Sequence, residues 1–336
     1  MKKVALVGFG FMGLTHTINI LKNKHLQLVA IVDKNIENIE KNLRDQVGNF
    51  STGSISKESL SGIKMYSTLD DCILHERTDA FFICVHTDLH FEMAEKALSA
   101  GNHVFLEKPF CLEIPQGEAL IKLARQYNLL LMVGHVVRFM PAYRQLKHWI
   151  SSEEFGALRF LSLSRYSGLP LWGQWKEKQL AFGSSGGALF DLVIHDIDFV
   201  LSVLGQPDTI RSIILPGKLS NQDYVSAFWR YSNSGVEVKI EGSNSFHSTF
   251  PFQAGFSAQF EKASVLYTSL KPETISISTD IETKHVPAGD ANEGFSSEVE
   301  YFTSCMEAKT SPIECTPESS LLTIQICYDH LKTKKI

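Results

Sequence analysis

Along the first third of the chain, apolar residues gather in short unbroken runs separated by longer amphipathic stretches. The runs predict strands over 3–8, 26–32, 79–85, 103–106 and 129–134. The stretches between them carry helical spacing over 12–23, 36–47, 89–100 and 113–127. The strands do not alternate apolar with polar, which implies burial on both faces, as in a parallel sheet covered by helices. Residues 1–135 therefore read as one doubly wound α/β domain, with the Ser-rich piece at 51–61 as a surface loop. Beyond 135 the pattern changes. A helix over 141–150 and a strand over 157–164 lead to a loop bearing glycine and tryptophan, then a long apolar helix over 187–204. Several strand-like runs follow one another between 208 and about 286, and helices near 293–308 and 317–331 close the chain. Strands that succeed each other without helices make a mostly antiparallel sheet, so 136–336 reads as an α+β domain.

At the first strand–helix junction stand Gly8, Gly10 and Gly13, a Gly-x-Gly-x-x-Gly spacing. The second predicted strand ends in Asp33, twenty residues further on. Strand, glycines, helix and terminal acid form the dinucleotide-binding fingerprint. Gly8 permits the tight turn, Gly10 a close approach of backbone to pyrophosphate, and Gly13 close helix–strand packing. Phe9, Phe11 and Met12 complete the loop, whose backbone N–H groups at a helix start favour an anion. Asp33 would accept hydrogen bonds from the adenosine ribose and repel a 2′-phosphate. Two unit charges 4 Å apart interact by about 1 kcal/mol in water and about 4 kcal/mol at an effective dielectric near 20. NAD is therefore expected over NADP, although Lys34 beside Asp33 would partly neutralise a phosphate.

Charge and composition exclude several other roles. The 336 residues are 44% hydrophobic and 21% charged, with a net charge of −5, as in ordinary globular proteins. Beyond the tail at 332–335 there is no basic block, so neither nucleic acid nor an acidic membrane is an expected partner. The apolar stretch of MKKVALVGFG is short and broken by glycines, so it reads as a strand rather than a signal peptide. No run approaches the ~18 apolar residues of a membrane helix. The six cysteines make no Cys-x-x-Cys pair and are expected as reduced, mostly buried thiols of a cytoplasmic protein.

Two segments carry candidate chemistry. HVFLEKP, 103–109, ends a buried strand with Glu107, Lys108 and Pro109, and open parallel sheets bind ligands beyond the carboxyl ends of their strands. The Lys108 ammonium could hold a substrate hydroxyl and stabilise an alkoxide, or it could simply pair with Glu107. Lys108–Pro109 is a candidate cis bond. In GGALFDLVIHDIDFVLSVLG, 186–205, Asp191, His195 and Asp198 recur at i, i+4 and i+7 on an otherwise apolar helix, with Asp196 about a quarter turn away. Such a stripe needs partners when buried. A ligand pocket with Asp191 orienting a titrating His195 would supply them; so would a satisfied core pair. No third ligand nearby supports a metal, and none is expected. His86 and His90, i and i+4 after the strand ending at Val85, suit cofactor lining or helix-start polarity better than zinc. Arg138 could face a substrate or form a salt bridge between domains. Trp172 and Trp175 could wall a sugar-sized pocket or pack in a core.

Taken together, VGFGFMG, VDKN at 32–35, the 87–109 segment ending in EKP, GHVVRF at 134–139 and the 185–205 helix resemble the glucose–fructose oxidoreductase and inositol dehydrogenase family (Gfo/Idh/MocA). The resemblance implies a Rossmann domain followed by an α+β domain whose large open sheet makes homodimers or homotetramers. It implies an NAD-dependent oxidoreductase passing hydride between nicotinamide and a secondary hydroxyl or ketone of a sugar, cyclitol or related polyol. Lys108, Asp191 and His195 fall on the family's catalytic Lys, Asp and His. Val85, His86, Thr87, His90, Glu107 and Lys108 fall beside the cofactor, and His135, Arg138 and Trp172 join the three catalytic positions around the substrate. Two departures stand out: Val85-His86-Thr87 replaces a frequent Thr-Pro-Asn, and His135 stands where Asn or Tyr often precedes the arginine. Two other activities fit the same scaffold, a glycosidase that oxidises its substrate transiently and a non-catalytic sugar or cofactor sensor.

Overall fold

The computed structural model describes residues 1–45, 53–169 and 186–332. Its contacts divide the chain into two compact units, Met1–His135 with Phe295–Leu321, and Val136–Gly294 with Leu322–Ile336. The 295–321 segment, read from sequence as part of the second domain, packs with the first.

In the first unit the elements alternate as expected: β1 (Lys2–Val7), α1 (Phe11–Lys22), β2 (Leu26–Val32), α2 (Ile36–Asp45), β3 (Lys64–Tyr66), α3 (Leu69–His75), β4 (Ala80–Ile83), α4 (His90–Ser99), β5 (His103–Glu107), α5 (Ile114–Gln126) and β6 (Leu131–Gly134). The six strands lie in the order β3-β2-β1-β4-β5-β6, all parallel. The central strands are buried on both faces: Val4 to Leu6, Phe81 to Ile83 and Val104 to Leu106 have no exposed surface. Chain order reverses between β1 and β4, and a crevice opens at the carboxyl ends of strands at such a point. Helix α8 (Glu293–Ala308) belongs to this unit. Its Phe302 ring stands edge-on to Phe82 at 5.5 Å and Phe105 at 5.7 Å.

The second unit contains α6 (Pro141–Ser152), β7 (Leu158–Gly168), a π-turn (Leu189–Val193) running into α7 (Ile194–Leu204), and β8 (Thr209–Leu215), β9 (Tyr224–Tyr231), β10 (Val236–Phe246), β11 (Gln253–Phe260), β12 (Ser264–Thr268), β13 (Thr274–Ser278) and β14 (Thr283–Pro287). The eight strands form one open sheet in the order β14-β13-β12-β11-β7-β10-β9-β8. Only β7 and β10 run parallel; the other neighbours are antiparallel. Along β9, Val225, Ala227 and Trp229 are fully buried while Phe228 is half exposed, the alternation of a sheet with one covered face. All six cysteines are buried thiols, and no helix among the described residues is long and apolar enough to cross a membrane.

The last helix, α9 (Pro317–Lys332), brings a buried imidazole to the covered face. The Trp229 indole N–H donates to His330 Nε2 at 3.0 Å, and His330 Nδ1 donates to the Ile326 carbonyl at 2.7 Å. Both ring nitrogens are satisfied only in the neutral tautomer, and burial lowers the pKa from 6.5 to about 4. A histidine with a depressed folded pKa contributes stability that is complete above its unfolded pKa and lost as pH falls through the folded one. At full effect the difference is about 3 kcal/mol. Calorimetry from pH 7 down to pH 4 is expected to show Tm falling more steeply for wild type than for His330→Gln. Parallel slopes would contradict the assignment.

Candidate functional site

The first unit builds a nucleotide cradle from its glycines. The Gly8 N–H donates to the Val32 carbonyl at 2.7 Å, and its φ of +90° is open to glycine alone; a Cβ there would sit 2.7 Å from the Cys84 carbonyl oxygen. A Cβ on Gly13 would lie 2.0 Å from the Gly8 carbonyl oxygen, so α1 can approach β1 only without one. Gly10 differs: it is exposed, and a Cβ would meet nothing within 4 Å. It caps α1, which has no side-chain cap and no acid in its first turn. The positive end of that helix therefore faces an open space that a side chain would fill, and a dinucleotide pyrophosphate fits it.

Asp33 braces this loop. Its Oδ2 accepts the Phe9 N–H at 2.7 Å and its Oδ1 the Asn35 N–H at 2.8 Å, while Asn42 donates to the Phe9 carbonyl at 2.6 Å. Phe9 is thus held through both its backbone groups, with its side chain buried in the core. A carboxylate oxygen has capacity for a further donor, so Asp33 can still receive ribose hydroxyls. Asn42, in α2 and 33 residues further along the chain than Phe9, gave no sequence signal. Phe11 and Met12 are half-buried and Lys34 is exposed.

Beyond β4 and β5 lie the other cofactor-side candidates. Val85 and Thr87 are half-buried and His86 is exposed. His90 is buried, its ring nitrogens 2.7 Å from the Pro109 carbonyl oxygen and 3.1 Å from that of Val85. Burial pushes its pKa down, and since a neutral imidazole has a single N–H to donate, the neutral ring donates to one of these two carbonyl oxygens only, the Pro109 oxygen being the nearer. Lys108 is half-buried at the end of β5, and its peptide bond to Pro109 is cis. Glu107 is buried, and its Oε2 accepts the Lys108 backbone N–H at 3.1 Å.

In the second unit the polar stripe of α7 divides into two sets. Asp198 takes both Nε and an Nη of Arg138, at 2.7 and 2.6 Å, plus the Thr323 hydroxyl at 3.0 Å. Asp196 takes Arg165 of β7 in the same bidentate way, at 3.0 and 2.8 Å, and the guanidinium also reaches the Tyr143 hydroxyl at 3.3 Å. Burial works against the Arg165 charge, and the Asp196 carboxylate more than offsets it, so the pKa is pushed up. These four charged groups are all buried. Asp191 and His195 are only half-buried. Asp191 lies in the π-turn and His195 follows it, and single π-turns inside helices are frequent at functional sites. Arg138, a substrate-side candidate, is an interior partner of Asp198. His135 is fully buried, and Trp172 and Trp175 lie outside the described residues. Arg165 escaped the sequence reading, although it shares the inward register of β7 with Leu161 and Leu163, and a cation at a buried register position calls for a buried acid.

The cradle gives a paired expectation. Gly10→Ala leaves thermal stability unchanged but weakens NADH binding about tenfold, a loss near 1.4 kcal/mol. Gly13→Ala lowers Tm as well, because its methyl group collides with backbone. Fluorescence titration and thermal melts check both; unchanged NADH affinity in Gly10→Ala would contradict the fit.

Known proteins resemble this chain in sequence and fold. Residues 2–135 match the family model described as an oxidoreductase family with an NAD-binding Rossmann fold, and residues 143–265 match the GFO/IDH/MocA C-terminal domain. The UDP-N-acetylglucosamine 3-dehydrogenase of Acidithiobacillus ferrooxidans is 32% identical over 174 residues, 52% of this chain and 50% of that protein. The inositol 2-dehydrogenase of Rhizobium meliloti is 25% identical over 318 residues, 91% of this chain and 88% of that protein. The solved structure of a levoglucosan dehydrogenase, complexed with NADH and L-sorbose, superposes with a TM-score of 0.80 at 16% identity, over 99% of this chain and 96% of that one. The chain is a member of the Gfo/Idh/MocA family of oxidoreductases, with an NAD-binding Rossmann domain at its N-terminus.

Proposed function

We propose that this protein is an NAD-dependent dehydrogenase that interconverts a secondary hydroxyl and a ketone on a sugar, cyclitol or related polyol. One observation carries the reading. On a buried helix, Asp196 and Asp198 lie fully buried against arginines, whereas Asp191 and His195, four residues apart on the same segment, are only half-buried. The names of the three relatives described above, dehydrogenases of UDP-N-acetylglucosamine, inositol and levoglucosan, point to the same substrate class.

The roles follow from chemistry. Bound NAD supplies a hydride acceptor or, reduced, a donor. The Lys108 ammonium holds the reacting oxygen and stabilises negative charge on it. His195 takes the hydroxyl proton in oxidation and returns it in reduction. Asp191 orients substrate or imidazole. The cofactor is held by the loop from Gly8 to Gly13, by Asp33, and by backbone around Val85 to Thr87.

The outer face of the second-unit sheet suits self-association. Ile213 and Leu215 on β8 and Phe228 on the neighbouring β9 are 46%, 49% and 50% exposed, and Leu266 on β12, further along the sheet, is 53% exposed; exposed apolar side chains grouped on one sheet face mark interaction sites. A second copy of the chain is the proposed occupant, giving a homodimer or homotetramer.

Two experiments test these readings. A panel of polyols and sugars is expected to contain a compound that drives NADH formation, with Lys108→Ala and His195→Ala each lowering kcat by about a hundredfold or more while still binding NADH. Full turnover in both variants would remove the mechanism, and release of a free sugar without NADH would favour a glycosidase. Light scattering is expected to find an oligomer for wild type and a monomer for Phe228→Arg; a monomeric wild type would refute the sheet interface.

A further inference from the structure

Behind the end of β5, three ionisable side chains from distant parts of the sequence meet inside the first unit. His16 of α1, Glu107 of β5 and Glu298 of α8 bring one ligand-type atom each to within 4.8 Å of the others. The His16 and Glu298 side chains have no exposed surface and Glu107 only 7%. Phenyl rings enclose them: Phe105 lies 5.0 Å from the His16 ring, Phe82 6.3 Å and Phe295 6.4 Å, centroid to centroid.

The distances assign the protons. His16 Nε2 and Glu107 Oε1 are 2.5 Å apart, and two such atoms approach that closely only with a proton between them. Glu298 Oε1 stands 3.9 Å from the same nitrogen, and neither Glu298 oxygen has a hydrogen-bond partner among the described residues. An ionised carboxylate in that position would cost many kcal/mol; a proton or a cation must neutralise it. Ligands sharing one tetrahedral zinc lie about 3.3 Å apart, given bonds of about 2.0 Å. The observed pair is at hydrogen-bond distance instead, and the third group is too far away.

We propose that His16, Glu107 and Glu298 form a two-proton positioning unit for Lys108. One proton lies between His16 and Glu107, the second neutralises Glu298, and the remaining negative charge on Glu107 receives the Lys108 backbone N–H. This rests on the reading of Lys108 as the residue that holds the substrate oxygen. Burial, with the Glu107 charge adding to it, pushes the Glu298 pKa well up. For Glu107 burial acts upward too, but the His16 hydrogen bond and charge, then Lys108, bring it down. The other titratable groups facing the cluster are Cys84 and His90. Burial pushes the Cys84 thiol well up and the His90 imidazole down, so it favours the uncharged form of both. The single Glu107 charge is thus a fixed feature of the strand end from which Lys108 projects.

The tests use the full-length protein. Glu298→Gln replaces a neutral acid by a neutral amide of the same shape. Infrared difference spectra between wild type and this variant are expected to show loss of a protonated-carboxyl C=O stretch. Since unfolded Glu298 ionises near 4.5 and the folded group keeps its proton, wild type loses stability as pH rises between those two pKa values. The Tm of Glu298→Gln should therefore gain on wild type from pH 5 to pH 8. An ionised-carboxylate band instead, or stoichiometric metal in wild type that Glu298→Gln releases, overturns the proton assignment. Positioning is read separately, with His16→Gln as a second variant should Glu107→Gln fold poorly. Either is expected to lower kcat about tenfold, close to 1.4 kcal/mol, with NADH affinity changed less than about threefold. Unchanged kcat overturns the positioning role. A fully active Lys108→Ala would instead overturn the catalytic reading of Lys108, and the infrared band would still report where the protons are.

Discussion

The nucleotide-binding end of the first unit depends on one carboxylate. Asp33 accepts the Phe9 N–H and the Asn35 N–H, so the acid that is to meet the ribose also fixes the loop that is to meet the pyrophosphate. The two halves of the cradle come from β1 and β2, adjacent parallel strands, and Asp33 links them where the strands stop. Without that link the loop would lose the brace that joins it to the end of β2. The local design is a pair of charge-assisted hydrogen bonds donated by backbone amides to a carboxylate, stronger than neutral ones.

The same constraint, that a carboxylate leaving water must find a donor, a cation or a proton, orders the rest of the molecule. Asp196 and Asp198 find guanidinium groups in fork-to-fork geometry. Buried pairs of this kind add little net stability over apolar packing, but losing one partner is costly. Their effect here is positional. Arg165 ties α7 to β7, and Arg138 ties it to the turn after β6, so α7 is fixed from two sides. Glu107 finds His16 and a backbone amide. Asp191, by contrast, is only half-buried and sits one turn from the half-buried imidazole of His195.

Much of the architecture was legible because it is written in periodicity. The buried strands β1, β2, β4, β5 and β6 are each built on a short apolar run, and the Gly-x-Gly-x-x-Gly spacing has a mechanical reason at each position. What stayed hidden lacks such a signature. β3 is three residues long and partly exposed, and β13 and the edge strand β14 are largely polar, so no apolar run marks them. The amphipathic spacing of α8 reveals a buried face but not which core receives it. His16 and Glu298 read as ordinary helix residues, because their meaning depends on partners 91 and more residues away. For the candidate site, Asp191 and His195 were visible as a polar stripe, yet the stripe contained Asp196 and Asp198 too. Only Arg165 and Arg138, reached through the folded chain, tell the two sets apart.

The cradle makes the account's central claim measurable at equilibrium, since a carboxylate held rigidly by two amides cannot turn away from a 2′-phosphate. Titration of the full-length protein with NADH and NADPH by nucleotide fluorescence tests it most directly. NADH is expected to bind about fivefold more tightly or better, the ratio that about 1 kcal/mol or more of charge repulsion at Asp33 produces. Equal affinities, or tighter binding of NADPH, would contradict it.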